Sequence, residues 1–305
     1  MGQPRLVGIA ALAAIIFLAA LSLQWRGQTP PPVQKSTQAR VASITPAGTD
    51  LLIGIGAGDR LVGVSNFDND REGIAGKPRI GDYQTINWEK LSDLQANVLL
   101  LQYAPDRLPA YLQQQCAAMG IRIVNLKLDT VNEICNAMTT LGDAVGDPLR
   151  ANQAAVALRA KLDAVARSVK GMPTVRTLVV TNDQSLSIAG PGEFLDELLT
   201  IAGGRNAADS LGKSYPDVDR EMILMMSPDA VIRLVPDGDK KPQVIEQGNT
   251  LWQGMPDLPA VKNHRVYVLT EWYGELPGVE IGNLAERFAE VLHPEIIGNG
   301  SGTRP

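Results

Sequence analysis

Between residues 147 and 171 the apolar positions recur at helical spacing. Leu158, Leu162, Val165 and Val169 fall on one face of an otherwise Ala-rich and charged segment. Asp147 is a preferred N-cap and Pro148 suits a first helical position, while Gly171 fits a C-cap and Pro173 forbids continuation. The pattern predicts one helix over 147–171, about 36 Å long at ~1.5 Å per residue. On both sides the period changes. Before the helix, short apolar runs at 40–44, 61–64, 98–101 and 121–126 alternate with helical patterns to about 55, at 89–94, 106–119 and 130–145. After it, runs at 175–180, 230–234 and 265–269 alternate with helical patterns at 193–201, from Glu221 onward, and at 279–292. Strands alternating with helices imply a mainly parallel sheet on each side. The expected fold class is α/β: two lobes, each a mainly parallel sheet flanked by helices, joined by one long backbone helix. The lobes span 40–146 and 172–295, the backbone helix 147–171, and a tail 296–305. An ordinary surface helix within one domain is the simpler alternative. The central position and the matching flanks, each of plausible domain size, favour a strut.

The N-terminus breaks this pattern. Arg5 precedes an apolar run from Leu6 to Leu23. A basic start followed by an apolar stretch marks an export segment, and this stretch is at the lower edge of what spans a bilayer. Residues 1–26 are therefore an export signal, either cleaved near Ala20-Leu21-Ser22 or retained as a membrane anchor. No cysteine follows the run, which excludes a lipid-modified cysteine. Residues 27–39, rich in Pro, Gln and Thr, form a linker.

Composition narrows the functional classes. With 45% hydrophobic and 20% charged residues, the body has ample core for a globular protein. The net charge of −5, with no basic run, argues against nucleic acid or a wide anionic membrane surface as partner. Two cysteines are too few for a disulfide framework. Cys116 and Cys135 lie on consecutive helices flanking one strand, so they are either bonded or buried as free thiols. His264 and His293 have no Cys or Asp at zinc or catalytic spacing, and no nucleophile elbow occurs. No metal site, resident cofactor or enzymatic activity is expected.

The second lobe echoes the first. Strand, loop, short helix and glycine stop recur at 175–206 as at 40–58. Glu89 and Glu221 each lie eight residues before an Asn or Asp that precedes an apolar strand. The helix dipole alone can explain an acidic residue at a helix start. Gly54, Gly56 and Gly58 invite a phosphate-loop reading, but they close a helix instead of opening one, so helix termination accounts for them better. Candidate ligand contacts sit at strand C-terminal ends, where open parallel sheets place their sites. They are Gln102 and Tyr103, and the loop 270–275 with Glu271, Trp272 and Tyr273. Phe67 stands isolated in a polar loop, either as a ligand contact or as a plug.

Several segments together resemble periplasmic binding proteins of ABC importers for ferric siderophores, haem and cobalamin. They are Arg40-Val-Ala-Ser-Ile-Thr-Pro46, Gly56–Ser65, Asn87-Trp-Glu89, Ala189-Gly-Pro-Gly192, Gly203-Gly-Arg-Asn206, Ser227-Pro-Asp229, Leu258–Asn263 with Arg265–Val268, and Leu292-His-Pro-Glu295. None is specific alone; their number and order over about 40–295 carry the likeness. The resemblance implies a two-lobed fold on a rigid backbone helix, and ligand capture without chemistry. It implies two partners beyond the membrane: a small molecule (cobalamin, ferric siderophore or haem) and an ABC permease dimer. By motif, the permease-docking glutamates of the two lobes fall on Glu89 and Glu221. Tyr83, six residues before Glu89, matches a pocket aromatic of cobalamin-binding members. With Tyr103, Trp272 and Tyr273 it is expected to wall the site, with Gln102, Asn182 and Glu271 as polar contacts. Two departures from the family pattern bear on ligand identity. Asp68-Asn-Asp-Arg-Glu72 replaces a Tyr-Pro-Pro segment, and Trp88 replaces a leucine. A membrane-tethered sensor using the same pocket is the rival reading, with an enzyme on the same fold a third.

Overall fold

A computed structural model describes residues 38–237 and 241–298. The export segment, nearly all of the linker and the tail beyond 298 lie outside the described residues. The first sheet holds β1 (Val41–Ser43), β2 (Leu61–Gly63), β3 (Val98–Leu101) and β4 (Arg122–Asn125), in the order β2-β1-β3-β4 with every pairing parallel. Its helices are α1 (Pro46–Gly54), α2 (Trp88–Asp93), α3 (Ala110–Met119) and α4 (Val131–Val145). Then comes α5 (Pro148–Ser168), the predicted long helix, with the Asp147 side chain accepting from the Arg150 amide at 3.3 Å.

The second sheet repeats the first. It comprises β5 (Val175–Asn182), β6 (Ser187–Ile188), β7 (Gly204–Asn206), β8 (Ala230–Leu234) and β9 (Val266–Leu269). Strands β7, β8 and β9 take the places of β2, β3 and β4, with β5 in that of β1. Only the two-residue β6 runs antiparallel, to β5. The helices are α6 (Phe194–Ile201), α7 (Arg220–Met226), α8 (Pro242–Gln253), α9 (Pro259–Lys262), α10 (Ile281–Leu292) and α11 (Glu295–Gly298).

Parallel strands are covered on both faces, so their apolar residues divide between two cores. In the first sheet Val41, Val98 and Leu100 enter one cluster, while Ala42, Leu99 and Leu101 enter another with Leu112 and Cys116. The first of these clusters continues without a break through α4 and α5 into Val179, Ile232 and Phe288 of the second lobe. Helix α5 supplies Ala151, Ala155, Leu158, Leu162 and Val165 to it, and packs against α4, α6 and α10. A Cβ at Gly142 would collide with Ala151, so the crossing of α4 and α5 needs a glycine there. The joint between the lobes is therefore core, not a flexible hinge peptide.

Several expectations need correction. Helix α5 ends at Ser168, and Gly171 (φ +84°) lies in the turn beyond it. Helix α1 starts at Pro46, where proline is at ease in a first turn, and ends at Gly54. The run 106–119 is divided: Pro105–Arg107 forms a 3-10 turn, and α3 begins only after Pro109. The glycine stop at 203–206 includes a strand, β7, held by pairing to Val175–Thr177 of β5. Cys116 and Cys135 are both buried and free, and they sit in cores on opposite faces of the first sheet.

Candidate ligand cleft

The C-terminal ends of both sheets carry loops that meet. After β2, the loop 64–76 reaches the second lobe: Asn69 Nδ2 donates to Asp237 Oδ2 at 2.8 Å, just past β8. The guanidinium carbon of Arg71 lies 4.0 Å from the ring centroid of Trp272, just past β9. Nearer the backbone helix, the Phe194 amide donates to the Asp129 carbonyl at 2.7 Å, and the Val131 amide to Glu197 Oε2 at 2.7 Å. The two sheets thus present their C-terminal ends to one cleft, bounded by cross-lobe bonds.

On the first-lobe side the cleft carries aromatic surface. Phe67 and Tyr83 stack with centroids 5.9 Å apart and planes 22° apart, and both are 56% exposed. Exposed stacked aromatics are uncommon on a surface without a partner, and offset stacking suits a further flat group. Tyr103 fixes this platform from below: its hydroxyl donates to the Tyr83 carbonyl at 2.6 Å. Asn125, at the end of β4, in turn holds Tyr103. Its Oδ1 accepts from the Tyr103 amide at 2.8 Å and its Nδ2 donates to the Tyr103 carbonyl at 2.9 Å. Gln102 is exposed beside it and accepts from Thr45 Oγ at 2.7 Å.

On the second-lobe side a cavity of about 540 Å³ opens at the ends of β5 and β8, under α8. Asn182, Gln184, Pro236, Lys241, Gln247 and Glu275 line it with apolar neighbours. Glu275 reaches solvent, yet the protein around it displaces enough water to push its carboxyl up to about 7, against the pull of Lys241. Burial pushes the nearby Tyr215 hydroxyl up as well, helped by the negative charge of Glu193 and Glu275. Beneath the cavity lies an ion pair that the sequence did not reveal. Arg233, wholly buried on β8, donates to Asp183 through Nε (3.0 Å) and Nη2 (2.7 Å), and through Nη1 to Asn249 Oδ1 (2.6 Å). Trp252 Nε1 donates to Asp183 Oδ1 at 2.9 Å. A Cβ at Gly248 would strike both charged groups, so the glycine lets α8 close over them.

The family model described as "Periplasmic binding protein" matches residues 41–273. This chain belongs to that family. A vitamin B12-binding protein of Vibrio vulnificus is 24% identical over 285 residues, covering 92% of this chain and 97% of its own. An ABC transporter substrate-binding lipoprotein of Bacillus subtilis, YvrC, is 24% identical over 267 residues, covering 86% of this chain and 82% of its own. Among solved structures, the periplasmic haem-binding protein HutB of Vibrio cholerae superposes with a TM-score of 0.70 at 19% identity, over 84% of this chain and 99% of its own. The periplasmic vitamin B12-binding protein BtuF of Vibrio cholerae gives a TM-score of 0.68 at 22% identity, over 84% of this chain and 96% of its own. The α/β fold, with parallel sheets flanked by helices, is that of the periplasmic binding proteins.

Tyr83, Tyr103 and Gln102 come together on the first lobe. Asn182 lines the cavity on the second, although its Oδ1 already accepts from the Gln184 amide (2.8 Å) and the Ser185 amide (3.1 Å). Glu271 turns to α10, where Arg287 Nε meets it at 2.7 Å, and its other oxygen is buried with no hydrogen-bond partner among the described residues. Tyr273 meets Trp272 edge-on at 5.5 Å and packs against the central core. Trp272 is covered by Arg71. Phe67, open from sequence as a contact or a plug, is exposed and stacked on Tyr83, while Lys241 and Glu275 are additions to the sequence-based set. Glu275 closes the candidate loop 270–275, whereas Lys241 carries no local signal in the sequence.

Glu89 and Glu221 are each the second residue of a short helix, and both are exposed. Neither caps its helix. Asn87 accepts from the Lys90 amide at 2.9 Å, and Asp219 from the Met222 amide at 2.8 Å. Among the described residues neither glutamate has a hydrogen bond or ion pair.

Proposed function

We propose that this protein is an extracytoplasmic solute-binding protein. It captures a metal chelate or corrinoid (cobalamin, a ferric siderophore or haem) in the cleft and hands it to an ABC importer. The observation that carries the ligand class is the Phe67–Tyr83 stack, held by Tyr103 and left open at the cleft. Large flat ligands with apolar faces favour such walls, with a few polar groups setting orientation. Here those groups are Gln102, Asn182, Lys241 and Glu275. The vitamin B12- and haem-binding relatives support this class.

Docking rests on Glu89 and Glu221. Two free carboxylates at matching points on lobes joined through a shared core form a fixed two-point charge pattern. Arginine–carboxylate pairs are directional and suit a permease dimer with one basic cluster per subunit. Residues 1–26 carry the chain out of the cytoplasm, cleaved or retained as an anchor, and N-terminal sequencing of the mature protein decides between these. Tagged protein recovered from solubilised membranes tests the reading. Co-purification of an ABC permease supports it, whereas recovery of a signalling protein in its place favours a sensor.

A further inference from the structure

The segment Asp68–Glu72 is one part of the first lobe that reaches the second. Its root is fixed. The buried Asp68 accepts through Oδ2 from the Ser65 amide (2.9 Å) and Thr49 Oγ (3.1 Å), and its carbonyl accepts from Arg79 Nη1 (2.6 Å). From this root Asn69 reaches Asp237, and Arg71 reaches inward. Arg71 Nη2 donates to Asp50 Oδ1 at 3.1 Å on one side, while the guanidinium covers Trp272 on the other. Asp50 itself straddles the joint. Its second oxygen accepts from the Val279 amide of the second lobe at 2.9 Å, and a Cβ at Gly278 would strike that oxygen. The Arg71 and Asp50 side chains are only 17% and 6% exposed, so this ion pair is shielded from the water that weakens surface pairs.

We propose that Arg71 is a positioning residue, the clasp of the cleft. Together with Asp50 and Trp272 it sets the aperture between the lobes, and Trp272 serves as its seat and not as a ligand wall. A guanidinium is suited to this place. It is planar enough to stack on an indole and offers its edge to a carboxylate at the same time, which a lysine does not. Ligand contact then falls to the Phe67–Tyr83 face. The clasp closes the loop that carries Phe67, so it also fixes where that aromatic stands.

The test uses the full chain without ligand. Amide exchange is followed over residues 270–279, together with the part of the tryptophan emission that disappears in Trp272→Phe. Arg71→Ala should speed exchange at Val279 by roughly tenfold, as expected of a lost local closure, and shift the Trp272 emission to longer wavelength. Arg71→Lys, which keeps the charge, should give an intermediate effect and guards against a variant that fails to fold. Trp272→Leu should speed the same amides, and adding Arg71→Ala to it should change little further. Wild-type exchange and emission in Arg71→Ala would overturn the proposal. So would full multiplication of the two single effects in the double variant, since the residues would then act independently. Neither readout involves a ligand, so failure here leaves the capture reading intact, and failure to bind cyanocobalamin leaves the clasp intact.

Discussion

Glu89 and Glu221 occupy the same position in the two halves of the protein, the second residue of the helix that leads into β3 in one lobe and β8 in the other. Because Asn87 and Asp219 do the capping, the glutamates can be removed without unmaking the helix starts. Glu89→Ala with Glu221→Ala should leave ligand affinity and melting temperature near wild type and weaken permease binding. Each single change should cost less, and charge reversal on both lobes should cost more. Asn87→Ala or Asp219→Ala should do the opposite, lowering stability by about 1 kcal/mol. Pull-down and thermal unfolding on the same variants check both halves. Normal permease binding by the double variant would reduce the glutamates to surface residues.

The Arg233–Asp183 pair under the cavity should be far more costly to break than any surface pair. Both side chains are almost completely buried, and removal of one leaves the other charged and unpaired. Asp183→Ala should destabilise by roughly 3–5 kcal/mol and loosen α8 over the cavity. Denaturant unfolding measures the first, and exchange of the α8 amides the second. A loss no larger than that of a surface pair such as Arg205–Asp209 would show that the network is not a structural unit.

Asp50 gives stability a pH dependence of predictable sign. Burial raises its carboxyl from an ordinary 3.8 to about 6, assisted by Glu280 and Asp68 and opposed by Arg71 and the Val279 amide. The folded value lies above the unfolded one, so between about 4 and 6 the folded state holds more protons. Its contribution to stability is therefore present below pH 4 and lost as pH rises through 6, on the order of 3 kcal/mol. Asp50→Asn should remove that component. The difference in urea midpoint between pH 4 and pH 7 should thus change between wild type and variant. An identical difference in both would mean that Asp50 ionises in the fold as it does in the unfolded chain.

Much of the fold was legible because it is written in local signals. The start of α5 is marked by Asp147 and Pro148, while its end at Ser168 falls short of the Gly171 turn, and the parallel sheets are marked by alternating strand and helix patterns. The repeated placement of Glu89 and Glu221 was visible as spacing. What escaped depends on distant partners. Strand β7 reads as Gly-Arg-Asn and is a strand only because β5 lies beside it. Helix α8 has a glycine in its middle, at a position dictated by Arg233 and Asp183. Arg233 itself interrupts an apolar strand and makes sense only with Asp183, 50 residues earlier. The bonds that join the lobes, Asn69 to Asp237 and Val279 to Asp50, connect residues 168 and 229 apart. The site followed the same rule: Tyr103 was visible as an aromatic at a strand end and Tyr83 through the family resemblance, but the stacking of Tyr83 on Phe67 and the bracing of Tyr103 by Asn125 were not.

The most direct test of the account is titration of the purified protein with cyanocobalamin, haemin and a ferric siderophore. Binding is followed by the absorbance of the added compound and by tryptophan fluorescence, in wild type and in Phe67→Ala, Tyr83→Ala and Glu89→Ala with Glu221→Ala. Saturable stoichiometric binding of one of these compounds is expected. Affinity should fall roughly tenfold or more when either stacked aromatic is removed, and should not change when the two glutamates are. No binding of any of the three, or binding that neither Phe67→Ala nor Tyr83→Ala weakens, would contradict it.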